Sequence, residues 1–99
     1  MFLKTLRELD DTGLVGDWCF VDTPSGIEFF FRYPRKEWLG DLPENESRGD
    51  VVRIPVSIGE HTIGRWGWNG SYECPTITPS VNVIGIWHGF FQNGKVITA

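Results

Sequence analysis

The sequence predicts a mostly β chain: a small single-domain antiparallel β-barrel or sandwich with a short N-terminal helix or turn. Three observations carry this. Short runs rich in aromatic and β-branched residues recur, as in "DWCFVD", "IEFFFRY" and "VVRIPVSI". Turn residues stand between such runs: "TPSG", Asn69-Gly70 and Asn93-Gly94. The length, 99 residues, suffices for one core. Residues 1–99 are therefore read as one domain, with an acidic surface loop at 41–50.

The elements follow in order. Phe2, Leu3, Leu6 and Leu9 fall at helical spacing, and Gly13 and Gly16 end that segment. Strands at 17–22 and 27–33 form a hairpin through "TPSG". Alternation puts Ile27, Phe29, Phe31 and Tyr33 on one face and Glu28, Phe30 and Arg32 on the other. Pro34 closes the second strand. Residues 35–50 read as loop, with one helical turn at "RKEWL". In 51–58, Val52, Ile54, Val56 and Ile58 share a face. Pro55 cannot donate to a ladder, which points to an edge strand or a bulge. Further strands are predicted at 62–68 and 81–87, with "PTITPS" a rigid connector between them. "HGFFQ" and "KVITA" then form a hairpin through Asn93-Gly94, a type I′ turn pair.

Acidic residues outnumber basic ones, 13 to 9, for a net charge of −4. A nucleic-acid partner is not expected, since phosphates call for a basic face. Charges interrupt the N-terminal segment, and no apolar run is long enough to span a bilayer. A cytoplasmic location with no membrane contact is expected.

Few residues suggest chemistry. Cys19, Cys74, His61 and His88 are the only cysteines and histidines. They match a Cys₂His₂ ligand set by type, but each stands alone on a different predicted element. No metal and no cofactor are expected; if a metal is present, these four are the candidates. Cys74 with His61 or His88 would make a nucleophile pair. Its neighbours Glu73 and Pro75 do not favour a thiolate. No carboxylate pair and no phosphate-binding loop can be picked out, and no catalytic residue is assigned.

The remaining candidate is aromatic: Trp66, Trp68, Tyr72, Trp87, Phe90 and Phe91. Packing in the core is the first explanation of these rings. A platform for a sugar or a protein partner is the second, because stacked rings offer large rigid surfaces.

"WGWNGSYECPTITPSVNV" followed by "WHGFFQNGKV" resembles an uncharacterised family of small phage and bacterial proteins. The resemblance covers about residues 66–96. The shared positions are Trp66, Trp68, Gly70, Pro75, Thr76, Pro79, Ser80, His88, Phe90 and Gly94. Some relatives carry the label ammonia monooxygenase, which no residue here supports. Many have paired cysteines ahead of this segment, and this chain has none there. The resemblance implies an accessory protein, phage- or prophage-encoded, in which aromatic packing has replaced a metal.

The function expected from all this is a non-catalytic accessory protein acting through protein–protein contacts, with interference with a host defence system as one version. A carbohydrate- or cell-wall-binding module on Trp66, Trp68 and Trp87 is the alternative, and a zinc-site protein or enzyme the second. Candidate binding residues are Trp66, Trp68, Tyr72, Trp87, His88, Arg53, Glu44 and Glu46. The last three place a contact surface on strand 51–58 and the loop before it, for a host-encoded protein or a second copy of the chain.

Overall fold

Strand β2 (Gly26–Tyr33) organises the fold because it is buried on both faces from Phe29 onward. In the computed structural model, residues 5–34 and 50–99 are described. Phe2, Leu3, the turn at "RKEWL" and most of the acidic loop, including Glu44 and Glu46, lie outside them, as does the side chain of Asp50.

Among the described residues, seven strands make one sheet in sequence order: β1 (Trp18–Thr23), β2, β3 (Asp50–Ile58), β4 (Trp66–Trp68), β5 (Ile77–Val83), β6 (Trp87–Gln92) and β7 (Lys95–Thr98). The sheet curls into a half-barrel. All pairings are antiparallel except β3 with β4, where Val56, Ser57 and Ile58 run parallel to Trp66, Gly67 and Trp68. Parallel neighbours usually need a crossover of a dozen residues or more. Here the chain retraces only three positions, so residues 59–65 suffice. Arg65 clamps this return by donating to the carbonyls of Ile27, Val56 and Ser25. That use of Arg65 explains why the strand predicted at 62–68 begins only at Trp66.

Aromatic packing produces the curl. On the concave face, Phe91 of β6 meets Trp18 of β1 and both Phe29 and Phe31 of β2, with ring centroids 5.6, 4.9 and 5.1 Å apart. Trp87 stacks on Tyr33 at 5.8 Å. Each such pair adds about 0.5–1.5 kcal/mol beyond its buried area. Ile54, Val56, Trp68, Ile77 and Val81 complete this core.

The opposite face of β1 and β2 carries a smaller cluster, where Cys19 and Phe30 meet Leu9 of α1 (Leu6–Thr12). Seven residues are too few for a helix to persist alone. Thr5 caps its start by accepting from the Glu8 N–H at 3.1 Å. Arg32, buried on β2, holds its end. The guanidinium donates to Leu9 O at 2.8 Å, which also accepts from the Gly13 N–H, and to Asp10 O, so the last-turn carbonyls of the helix are held. Arg32→Ala should cost about 1.5–3 kcal/mol, the range for a hydrogen bond involving a charged group. Urea titration should show a lower midpoint at unchanged slope.

Two predicted elements differ from the structure. The sequence predicts an edge or a bulge at Pro55, yet β3 lies inside the sheet between β2 and β4. Pro55 is tolerated because pairing with β4 starts one residue later, at Val56. The sequence also predicts one strand over 81–87. The structure divides it: β5 ends at Val83, Ile86 N donates to Val83 O at 2.8 Å, and β6 begins at Trp87. Gly85, at φ +76°, takes the left-handed position this turn requires. Likewise most of "PTITPS" belongs to β5 instead of a connector. The Asn93-Gly94 hairpin is as expected, with φ of 50° and 75° at its two central residues.

Candidate functional site

The β5–β6 hairpin contains an irregularity that sets one side chain apart. Val81 pairs with Gly89, but Ile77 pairs with Phe91. Thr78, Pro79 and Ser80 therefore stand opposite Phe90 alone. This is a bulge, and a bulge re-aims the side chains it carries. Pro79, preceded by a cis peptide bond, needs no ladder partner there. Ile77 and Val81 both remain in the core, so the extra residues are absorbed on the outer face.

Ser80 emerges on that face beside His88 of β6, with Oγ 3.0 Å from His88 Nε2. His88 is exposed and Ser80 half-buried. Trp66 fixes the backbone of the bulge: its indole Nε1–H donates to Ser80 O at 3.2 Å. Trp87, Gly89 and Phe91 point into the core, which anchors the strand that presents His88. Gly89 must be glycine, because a Cβ there would lie 2.4 Å from the Trp87 ring and 2.2 Å from Ile97 O.

Two clefts lie in this region, one reaching Pro79 and the other His88. One, of about 230 Å³, is lined by Trp66, Pro79, Arg65 and His61 among others. The other, of about 260 Å³, is lined by His88, Asn82, Gly85 and Trp87 among others. A serine hydroxyl hydrogen-bonded to a neutral imidazole can pass its proton to the ring as it attacks an electrophile. For that, Nε2 must be bare and Nδ1 must carry the hydrogen.

The predicted site residues that lie among the described residues are spread over several elements. Trp68 and Trp87 are buried in the core, Trp66 is half-buried and Tyr72 exposed. They make no exposed row of rings. Arg53 pairs with Glu28 at 3.3 Å, away from the hairpin. His61 lines the cleft beside Pro79. Cys74 is exposed and accepts no pairing with Cys19, which is buried under α1. Among the described residues, no group of three or more His, Cys, Asp or Glu side chains could hold a metal ion. No helix of the described residues is long and apolar enough to cross a membrane.

Cys19 is set against ionisation. Burial first, then the carboxylates of Asp10 and Glu8, push its thiol up from 9.0 to about 11. The unfolded chain therefore loses this proton before the folded one does. The stability it contributes is complete below pH 9.0 and declines as pH rises towards about 11. Cys19→Ala should lose less stability than the wild type between neutral and strongly alkaline buffer, as read by paired urea titrations.

A family profile described as "Bacterial ubiquitination-like system serine protease (BubE)" matches residues 48–99. This is just over half of the chain. The chain belongs to the BubE family. The BubE match contains β3 to β7 entire, and with them Trp66, Ser80 and His88. It also contains the 66–96 segment that carries the resemblance seen in the sequence. Comparison with the curated proteins and with the solved structures returned no match.

Ser80 is the residue that sequence reasoning left out of the candidate site. A cysteine nucleophile was weighed there and a serine was not. Ser80 and His88 both stand among the shared positions of the 66–96 resemblance, but no nucleophile motif marks Ser80: "TPSVN" has no resemblance to a strand–turn–helix nucleophile elbow. With 81–87 taken as one strand, Ser80 and His88 would lie roughly 26 Å apart, at about 3.3 Å per residue. Gly85 inside that strand was the available signal, since an isolated glycine in a strand pattern marks a bulge or turn.

Proposed function

We propose that the chain is a serine hydrolase that cleaves acyl bonds in protein conjugates of a bacterial ubiquitination-like system. The observation that carries this is the 3.0 Å contact between Ser80 Oγ and His88 Nε2, in a chain whose family is described as serine proteases of such a system. Ser80 is the nucleophile and His88 the general base. Oγ bonds to the substrate carbonyl carbon while its proton passes to Nε2. The amine or alcohol then leaves with that proton, and an acyl-serine remains. Water, deprotonated by His88, releases the acid and restores Ser80. Trp66 holds the bulge so that Oγ faces the imidazole.

This proposal replaces the non-catalytic function expected from the sequence, while keeping a protein as the partner. The test is cleavage of purified conjugates of the system's ubiquitin-like modifier. Release of free modifier by the wild type, and none by His88→Ala, supports the proposal. Equal release by both, or by neither, refutes it.

A further inference from the structure

A general base needs more than proximity to its serine. With Nε2 facing Ser80 Oγ, the proton of the neutral ring must sit on Nδ1, and a hydrogen-bond acceptor there selects that tautomer. In many hydrolases the acceptor is a carboxylate. Here β4, β5, β6 and β7 carry no Asp or Glu. The charged side chain on these strands is Lys95, which pairs with Gln92 at the far end of β6. Arg65 and His61 lie on the Pro79 side, and Arg65 is committed to backbone carbonyls.

Asn82 is the candidate acceptor; no hydrogen bond joins it to His88 among the described residues, so a turn of its side chain towards Nδ1 is what the role requires. It is the direct cross-strand partner of His88, and directly opposed residues have Cβ atoms about 4.5–5.5 Å apart. Both lie on the outer face and both are exposed. Both also line the cleft of about 260 Å³, whereas the cleft beside Pro79 is lined by neither. An asparagine offers one carbonyl oxygen that accepts two hydrogen bonds and bears no charge.

Resting on the serine-hydrolase function proposed above, we propose that Asn82 is a positioning residue for His88. Its side-chain oxygen accepts the Nδ1–H, fixing the tautomer that leaves Nε2 free for Ser80. It does not touch substrate. The site is then Ser–His–Asn, held on a single β-hairpin.

The experiment is the rate at which a fluorophosphonate probe labels Ser80, followed by intact-protein mass spectrometry across pH. In that reaction Oγ bonds to phosphorus, fluoride leaves, and His88 takes the hydroxyl proton. Asn82→Ala and Asn82→Leu should label roughly 10–100-fold more slowly, a part of the 10²–10⁴-fold that a placed base supplies. Their unfolding curves should match the wild type, since the position is exposed. Asn82→Asp should restore labelling. It should also move the acid limb of the pH profile upward, because a carboxylate beside the ring favours imidazolium. Labelling of Ser80 at the wild-type rate in Asn82→Ala overturns the role of Asn82 alone, as does an Asn82→Asp variant no faster than Asn82→Leu. No Ser80 adduct in the wild type overturns the hydrolase function and this proposal together.

Discussion

Ser80→Ala should lower kcat/KM for conjugate cleavage by at least about 10³-fold, the scale on which nucleophile removal acts in serine hydrolases. The fold should not change. Ser80 is half-buried on a bulge, and its backbone carbonyl still accepts from Trp66 in the variant. An unfolding free energy within about 0.5 kcal/mol of the wild type, read from urea titration, is expected, as for substitutions away from the core. The His88→Ala, Ser80→Ala double variant should be no slower than either single one, because the two side chains act as a unit. A large residual activity in Ser80→Ala would mean that another residue attacks the substrate.

Trp68→Ala should produce the largest loss of stability. Trp68 is 2% exposed. Its ring lies 4.8 Å from Phe20 and 5.0 Å from Tyr72, and its Nε1–H donates to Ser71 O at 3.0 Å. Truncating a buried tryptophan costs about 3–5 kcal/mol. Domains of this size are held by about 5–15 kcal/mol in all, so the melting temperature should fall by more than roughly 10 °C. Differential scanning calorimetry reads this directly. A variant that melts with the wild type would show that Trp68 does not anchor the core. Trp66→Phe makes an informative companion. It keeps most of the ring and removes the donor to Ser80 O, so activity should fall further than stability.

Most of the fold was legible because it rests on period and on turn chemistry. The alternation in "IEFFFRY" separates the two clusters correctly: Phe29, Phe31 and Tyr33 go to the main core, and Phe30 to the one beneath α1. Asn93-Gly94 is legible because only a tight primed turn asks for that pair. Three features were not legible, and each depends on contacts distant in sequence. The parallel β3–β4 pair depends on Arg65 reaching the carbonyls of Ile27 and Ser25. The inside position of β3 depends on where β4 starts. The bulge at Thr78–Ser80 depends on Ile77 and Val81 both being drawn into the core.

The candidate site was hidden by one misread turn. His88 stood among the predicted residues, but as a binding or metal-ligating group or as a partner for Cys74. Ser80 and Asn82 face it only once Gly85 reverses the chain. The tryptophans drew attention because they are conspicuous in the sequence. In the fold they act as supports: Trp68 and Trp87 fill the core, and Trp66 braces the bulge. Side chains that carry chemistry on an outer sheet face leave little trace in a hydrophobic pattern, since any polar residue satisfies that pattern equally well.

The most direct measurement of the account is the site of covalent modification by a fluorophosphonate probe, mapped by tandem mass spectrometry on the folded wild-type protein. The account predicts a single adduct on Ser80 that disappears in His88→Ala and after denaturation. An adduct on a different serine, or no adduct at all, would contradict it.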